Sequence, residues 1–425
     1  MASITGTNGN DTLTGTVNDD VIYGLAGDDT IDGGNGNDII VGGLGKDIML
    51  GGAGNDEFLV GGTGIVVGET IDGGSGVNKV STYDGDLSLA TVTNVQTIGL
   101  FINKLKLSAA QLAGFTTVIA QTGTTATLTA ANAGIYDLST KTVTGIFNLT
   151  GSSGDDILIG NTAAQTLNGG DGNDVLQGGL GADKLFGGGD NDTFLLYAGD
   201  VIAGEIIDGG TGNNIITAWG GDLSLASITN VQSLGVHTNA LKLSAAQMVG
   251  FSTLSALDGV AVTLTAANAG TYDLATKAVA GTFYLTGSSG DDALTGNAAA
   301  QTLDGGNGND TISGGQGADI MLGGLGNDTF ILNIGDIATG EVIDGGSGGN
   351  RITAWGGDLS LAAVTNVQTL ELHQGGLKLS AAQLSAFSAL TALDSLPATL
   401  IAANAGKYDL STKNVTGTFN LTGSA

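Results

Sequence analysis

Apolar residues return every nine positions along residues 6–59, separated by glycine, asparagine and aspartate. The stretch reads GTNGNDTLT, GTVNDDVIY, GLAGDDTID, GGNGNDIIV, GGLGKDIML and GGAGNDEFL, six phrases without a gap. The eighth position is always apolar: Leu13, Ile22, Ile31, Ile40, Met49 and Phe58. Each is expected in a short strand, pointing inward. Two phrases, eighteen residues, then make one coil of a parallel β-roll. A flexible Gly/Asp-rich linker does not hold an aliphatic residue at a fixed spacing, so that reading is set aside.

A longer period contains the short one. The block returns at residues 151–195 and 287–331; Gly33 matches Gly169 and Gly151 matches Gly287, each 136 residues further on. The first block carries one extra phrase at its start. The remainder of each unit, about ninety residues, repeats as strictly. Its alternations DLSLA, LKLS, ATLTA, YDLST and FNLTGS predict strands of period two. Ser108-Ala-Ala-Gln-Leu, an N-cap followed by helix formers, predicts one short helix per unit. These segments are read as wider coils of the same solenoid; a compact β-rich module between separate β-rolls is the alternative. The expected fold is all-β: a parallel β-roll or β-solenoid of three tandem units, 1–150, 151–286 and 287–425. Each unit is a nonapeptide block followed by a wider β-rich segment with one short helix.

The polar letters of the phrase carry chemistry. Aspartate holds the sixth position throughout the first block, as Asp11, Asp20, Asp29, Asp38, Asp47 and Asp56. The second block has Asp156, Asp174, Asp183 and Asp192, and the third has Asp292, Asp310, Asp319 and Asp328. Glycines at positions one, two and four permit φ > 0, and sharp turns of this kind point carbonyl oxygens inward. Carbonyls and carboxylates, with no Cys and only two His, are hard-cation ligands suited to calcium. Gln165 and Gln301 replace the aspartate, so those loops are expected to bind weakly or not at all. The turn at Gly73 ends in Asn78, matched by Asn214 and Asn350, and reads as a weakened calcium loop.

The phrases resemble the repeat-in-toxin (RTX, hemolysin-type calcium-binding) nonapeptide. That resemblance implies several calcium ions, each shared by two loops eighteen residues apart. One loop would give the carbonyls of positions two and four plus its aspartate, the facing loop those of positions one and three plus its own. Gly34, Gly36 and Asp38 would then share an ion with Gly51, Ala53 and Asp56. The same rule pairs Gly170, Gly172 and Asp174 with Gly187, Gly189 and Asp192. It also pairs Gly306, Gly308 and Asp310 with Gly323, Leu325 and Asp328. Leu25 departs from the motif, standing where the family has its second glycine; its backbone carbonyl still serves.

Charge changes the picture. With 41 Asp and Glu against 12 Lys and Arg, the formal net charge is −29. Nucleic-acid binding, which needs a basic face, is excluded. Self-repulsion opposes compaction, and bound calcium relieves it. The blocks are therefore expected to fold with calcium and to be disordered without it. Extracellular modules of this class bind at roughly 0.1–1 mM, far above cytosolic calcium. No apolar run is long enough for a transmembrane segment. The N-terminus MASITGTNG lacks the basic and apolar regions of a cleaved signal. Resemblance to the family implies export by a type I-like route to an extracellular or cell-surface location.

No residue set promises catalysis or an organic cofactor. GxSxG occurs at Gly345–Gly349, but inside a glycine turn that is GGSGV and GGTGN in the other copies. His237 and His373 match Phe101, which argues for a packed or stacked ring rather than a ligand. Tyr83, Trp219 and Trp355 are expected in the core of a coil, with a sugar-facing platform as the alternative. Glu69 and Asp72, repeated as Glu205/Asp208 and Glu341/Asp344, are read as extra calcium ligands or solvated charges. The chain closes on FNLTGSA and opens on ITGTNGND, which matches LTGSSGDD. Two functions are weighed. One is a structural protein whose partners are copies of itself, head to tail or lateral, with cell-surface polysaccharide as a candidate anchor. The other is an adhesin or glycan-binding module.

Overall fold

Position-eight residues stack on one another. A computed structural model describes residues 1–61, 64–101, 104–121, 123–373 and 375–423. In it Ile22, Ile40, Phe58, Val80, Ile98 and Val118 are successive partners in one parallel sheet, and all are fully buried. Across the coil a second parallel sheet stacks Leu13, Ile31, Met49, Ile71 and Val92. An eighteen-residue step brings each strand back over itself in register, so like residues pair. Both sheets turn their aliphatic faces to each other, which is how parallel sheets satisfy their burial requirement.

The wider segments continue the same sheets. One sheet starts in the wide coils at Lys104–Leu107, Thr125–Ala130 and Ile146–Thr150. It runs on through Thr166–Gly170 and Lys184–Gly188 of the second nonapeptide block and Ile206–Gly210 just after it. Its inward column is Leu105, Leu128, Leu149, Leu167, Leu185 and Ile207. The equivalent column further on is Leu241, Leu264, Leu285, Leu303, Met321 and Ile343. The segments are thus wider coils of a parallel β-solenoid, as expected, and not an inserted module. A wide coil carries three strands, for example Thr117–Ala120, Thr125–Ala130 and Ile135–Asp137.

The helix expected in each wide segment is present: α1 Ala109–Gly114, α2 Ala245–Gly250 and α3 Ala381–Ala386. Ser108 accepts from the Gln111 N–H at 3.2 Å, and Gln111 Oε1 accepts from the Ser108 N–H at 2.9 Å, closing a capping box. Gln111 Nε2 then donates to Leu87 O and Ala90 O, which ties the helix to the coil before it. Among the described residues no helix is long and apolar enough to cross a membrane.

Two compact units divide the chain, Met1–Ile216 with Leu225–Val231, and Thr217–Ser224 with Gln232 onward. The last strand is Phe419–Thr422; residues 424–425 of the closing FNLTGSA lie outside the described residues.

Candidate metal centre

The loop at residues 33–38 shows how the glycines work. Gly34 and Gly36 have φ of +91° and +116°, open only to glycine without strain. Asp38 then lies buried, and its Oδ1 accepts the Asp20 N–H at 2.8 Å, while its own N–H donates to Asp56 Oδ1 at 2.9 Å. Carboxylates therefore climb the loop edge in steps of eighteen residues. The second oxygen, Oδ2, turns toward the loop's own first glycine. A methyl group on Gly33 would stand 2.6 Å from Asp38 Oδ2 and 2.5 Å from Gly51 O. Asp174 Oδ2 and Gly187 O meet in the same way beside Gly169, as do Asp310 Oδ2 and Gly323 O beside Gly305. A carboxylate oxygen and a carbonyl oxygen converge, and neither can donate a proton to the other.

That leaves buried oxygens without partners. Among the described residues these include Oδ2 of Asp29, Asp38, Asp47, Asp56, Asp174, Asp183, Asp192, Asp310, Asp319 and Asp328. A bound cation is the partner such oxygens fit. Among the described residues no point gathers three or more His, Cys, Asp or Glu side chains. Backbone carbonyls beside the aspartates, such as Gly51 O, Gly187 O and Gly323 O, supply further hard oxygens of the kind calcium takes.

Stacking already employs some of the expected carbonyls. Gly34 O accepts the Ala53 N–H at 2.8 Å, and Ala53 O accepts the Gly36 N–H at 2.9 Å. Gly170 O accepts from Gly189, Gly306 O from Leu325, and Leu325 O from Gly308, each at 2.8 Å. Every carbonyl keeps a second lone pair. Gly172 departs from this pattern, its N–H reaching Asp190 Oδ2 at 3.3 Å.

Four predicted aspartates are arranged differently. In the loops of Asp11, Asp20, Asp156 and Asp292 the second position is Thr7, Thr16, Ser152 or Ser288. The N–H and hydroxyl of Thr16 donate to Asp20 Oδ2 at 2.6 and 2.8 Å, and the other three loops repeat both bonds. The Thr16 backbone N–H leads the contacts that hold the Asp20 carboxyl below its usual value. These loops are closed by their own hydroxyl.

Glutamine and asparagine loops are closed by an amide instead. Gln165 Nε2 donates to Phe147 O at 2.7 Å and Gln301 Nε2 to Phe283 O at 3.2 Å. Asn78 Nδ2 donates to Gly73 O at 2.8 Å and Asn94 O at 3.0 Å, and Asn350 does the same to Gly345 O and Asn366 O. Leu25 keeps the open turn at φ +82°, a conformation that strains a leucine by about 1–2 kcal/mol.

Burial pushes the open-loop carboxyls upward: Asp38, Asp174, Asp183, Asp192 and Asp319 to about 6, and Asp310 to about 7. Their folded values lie above that of an unfolded aspartate, roughly 3.9. Their contribution to calcium-free stability is therefore full below pH ~4 and lost as pH rises through 6 to 7. In calcium-free buffer the strand signal in circular dichroism is expected to be larger at pH 5 than at pH 8. A signal that grows with pH would contradict this.

The remaining candidates sit elsewhere. Asp72 Oδ1 accepts from Asn94 Nδ2 at 2.7 Å, and its partner Glu69 is buried, so the repeated acid pair is split. His237 stacks on Trp219 with ring centroids 4.4 Å apart, and His373 on Trp355 at 4.2 Å. The stacked rings were expected; core burial of the tryptophans was not found. Trp219 and Trp355 are half-buried, and Tyr83 is 53% exposed against Phe101. The exposed Ser347 leads into the strand Arg351–Ala354 rather than a helix, so a nucleophile elbow has no corner to sit on.

The chain matches the family model described as RTX calcium-binding nonapeptide repeat (4 copies). The matches lie at residues 5–40, 24–58, 32–65, 148–164, 159–194, 203–222 and 295–330. No curated protein matches it.

Proposed function

Because the chain is an RTX-type protein that binds several calcium ions and is of extracellular type, we propose that it is a secreted structural protein of the bacterial cell surface. It leaves the cell unfolded by a type I-like route, folds on meeting calcium, and assembles end to end or laterally into a filament or surface layer. One observation carries this reading. Among the described residues the strands of each unit pair in parallel, coil upon coil, so each unit is a stacked scaffold. The scaffold repeats every 136 residues and so offers one surface several times over, which suits regular packing of copies.

Electron microscopy of the purified protein tests this. Ordered fibres or sheets are expected with calcium and none with chelator; dispersed monomers at high concentration with calcium would count against assembly. The half-exposed Trp219 and Trp355 favour a second reading, an adhesin that binds glycan on these rings. Replacing both by Ala abolishes glycan binding under that reading.

A further inference from the structure

Each nonapeptide edge must stop somewhere, and the two edges stop differently. On one edge the climbing carboxylates end in an asparagine. Asn78 Oδ1 accepts the Asp56 N–H at 2.8 Å, in the slot otherwise filled by the next aspartate. Its amide then donates to the carbonyls beside it, so the asparagine itself leaves no polar atom unpaired. On the other edge the same slot is filled by a glutamate. Glu205 Oε2 accepts the Asp183 N–H at 3.1 Å, across a step of 22 residues where 18 is usual. A carboxylate has no proton to donate, and the edge does not close.

All three copies aim this glutamate inward with one turn. The N–H groups of Glu69, Glu205 and Glu341 donate to the carbonyls of Val66, Ile202 and Ala338. Gly68, Gly204 and Gly340 precede them at φ +88°, +99° and +98°. The glutamates are 1–3% exposed. Oδ2 of Asp47, Asp183 and Asp319 and Oε1 of Glu341 are buried without a partner. A cavity of about 100 Å³ opens beside Glu69, lined also by Gly42, Gly43, Gly61 and Gly64. Asp47 Oδ2 lies against Gly42, one of the glycines that line that space. Asp200 adds to the negative field at Asp183 and Glu205, as Asp336 does at Asp319 and Glu341; the first copy has Gly64 at that place.

We propose that every unit closes this edge with a further calcium site that joins a nonapeptide aspartate to a glutamate outside the motif, its two carboxylates being Asp47 with Glu69, Asp183 with Glu205, and Asp319 with Glu341. Two buried carboxylates bring the charge of one divalent cation, and carbonyls of the glycine turns complete a hard oxygen set. The inference rests on calcium binding alone and stands whether or not the protein assembles.

Glu69→Gln, Glu205→Gln and Glu341→Gln, made one at a time, test it. Glutamine keeps the size and gains the donor with which Gln165 closes its loop. Calcium bound per chain is measured by elemental analysis after equilibrium dialysis. Each variant is expected to bind one ion fewer than the parent while keeping its strand signal. An unchanged ion count in a folded variant would overturn the proposal in favour of a proton shared by the two carboxylates. Should a variant fail to fold, terbium-soaked crystals of the parent decide. An anomalous peak between Asp319 and Glu341 upholds the site; peaks confined to the nonapeptide loops overturn it.

Discussion

Stripped of calcium at pH 7.5, the nonapeptide blocks will unfold. The magnitudes make this the largest effect to expect. Among the described residues ten aspartate Oδ2 atoms are buried without a hydrogen-bond partner. Each unpartnered buried acceptor costs about 1–3 kcal/mol, and more when charged. Ten of them amount to on the order of 10–30 kcal/mol, against the roughly 5–15 kcal/mol by which folded domains are usually stable. The open-loop carboxyls whose values burial raises to about 6 or 7 are still mainly ionised at pH 7.5, so protonation does not rescue them. The formal charge of −29 adds repulsion. Circular dichroism with excess EGTA should lose most strand signal from the blocks and recover it when calcium is returned. A spectrum indifferent to chelator would mean that the buried oxygens find protein partners.

Gly326→Ala should be among the most damaging single methyls at the described glycines. Gly326 has φ +134°, and an added Cβ would overlap Gly308 O, whose loop lies eighteen residues earlier. Backbone strain alone accounts for about 1–2 kcal/mol. The overlap also forces two loops apart that are held by the Leu325 N–H to Gly306 O and the Gly308 N–H to Leu325 O, each at 2.8 Å. We expect a loss above ~3 kcal/mol in urea unfolding with calcium present. Gly335→Ala is the matched control: its φ is +93°, but nothing lies within 4 Å of the added carbon. Strain is then the whole effect. Equal losses in the two variants would show that loop stacking is looser than the structure has it.

Much of this was legible in the letters. The nine-residue period set coil length, inward column and aspartate edge, because a parallel coil has to return in register. Ser108 and Gln111 announced their helix through local hydrogen bonding. The division of the aspartates was legible too but missed: Thr7, Thr16, Ser152 and Ser288 stand where the open loops carry Gly34 or Gly52, and a hydroxyl there reaches the carboxylate four residues on. Asn78 was read as a weak ligand because its letter gives no hint that two carbonyls wait for its amide. Leu25 was harder. Its φ of +82° is imposed by the coils around it, and no local rule for leucine foretells it. Trp219 looked like core because size and aromaticity are silent about which face of a strand is inside.

The hydroxyl-closed loops have a kinetic meaning. The slow step for a solenoid is its first coil, which has no neighbour to stack on, while later coils add to a template. Thr16, Ser152 and Ser288 stand at or near the start of the three blocks, and each fastens its own loop with no ion at all. The chain therefore carries three loops spaced along its length that need no ion of their own, on which coils can start to stack once calcium arrives. Growth from several such loops makes folding time depend on the distance between them and not on the length of the chain.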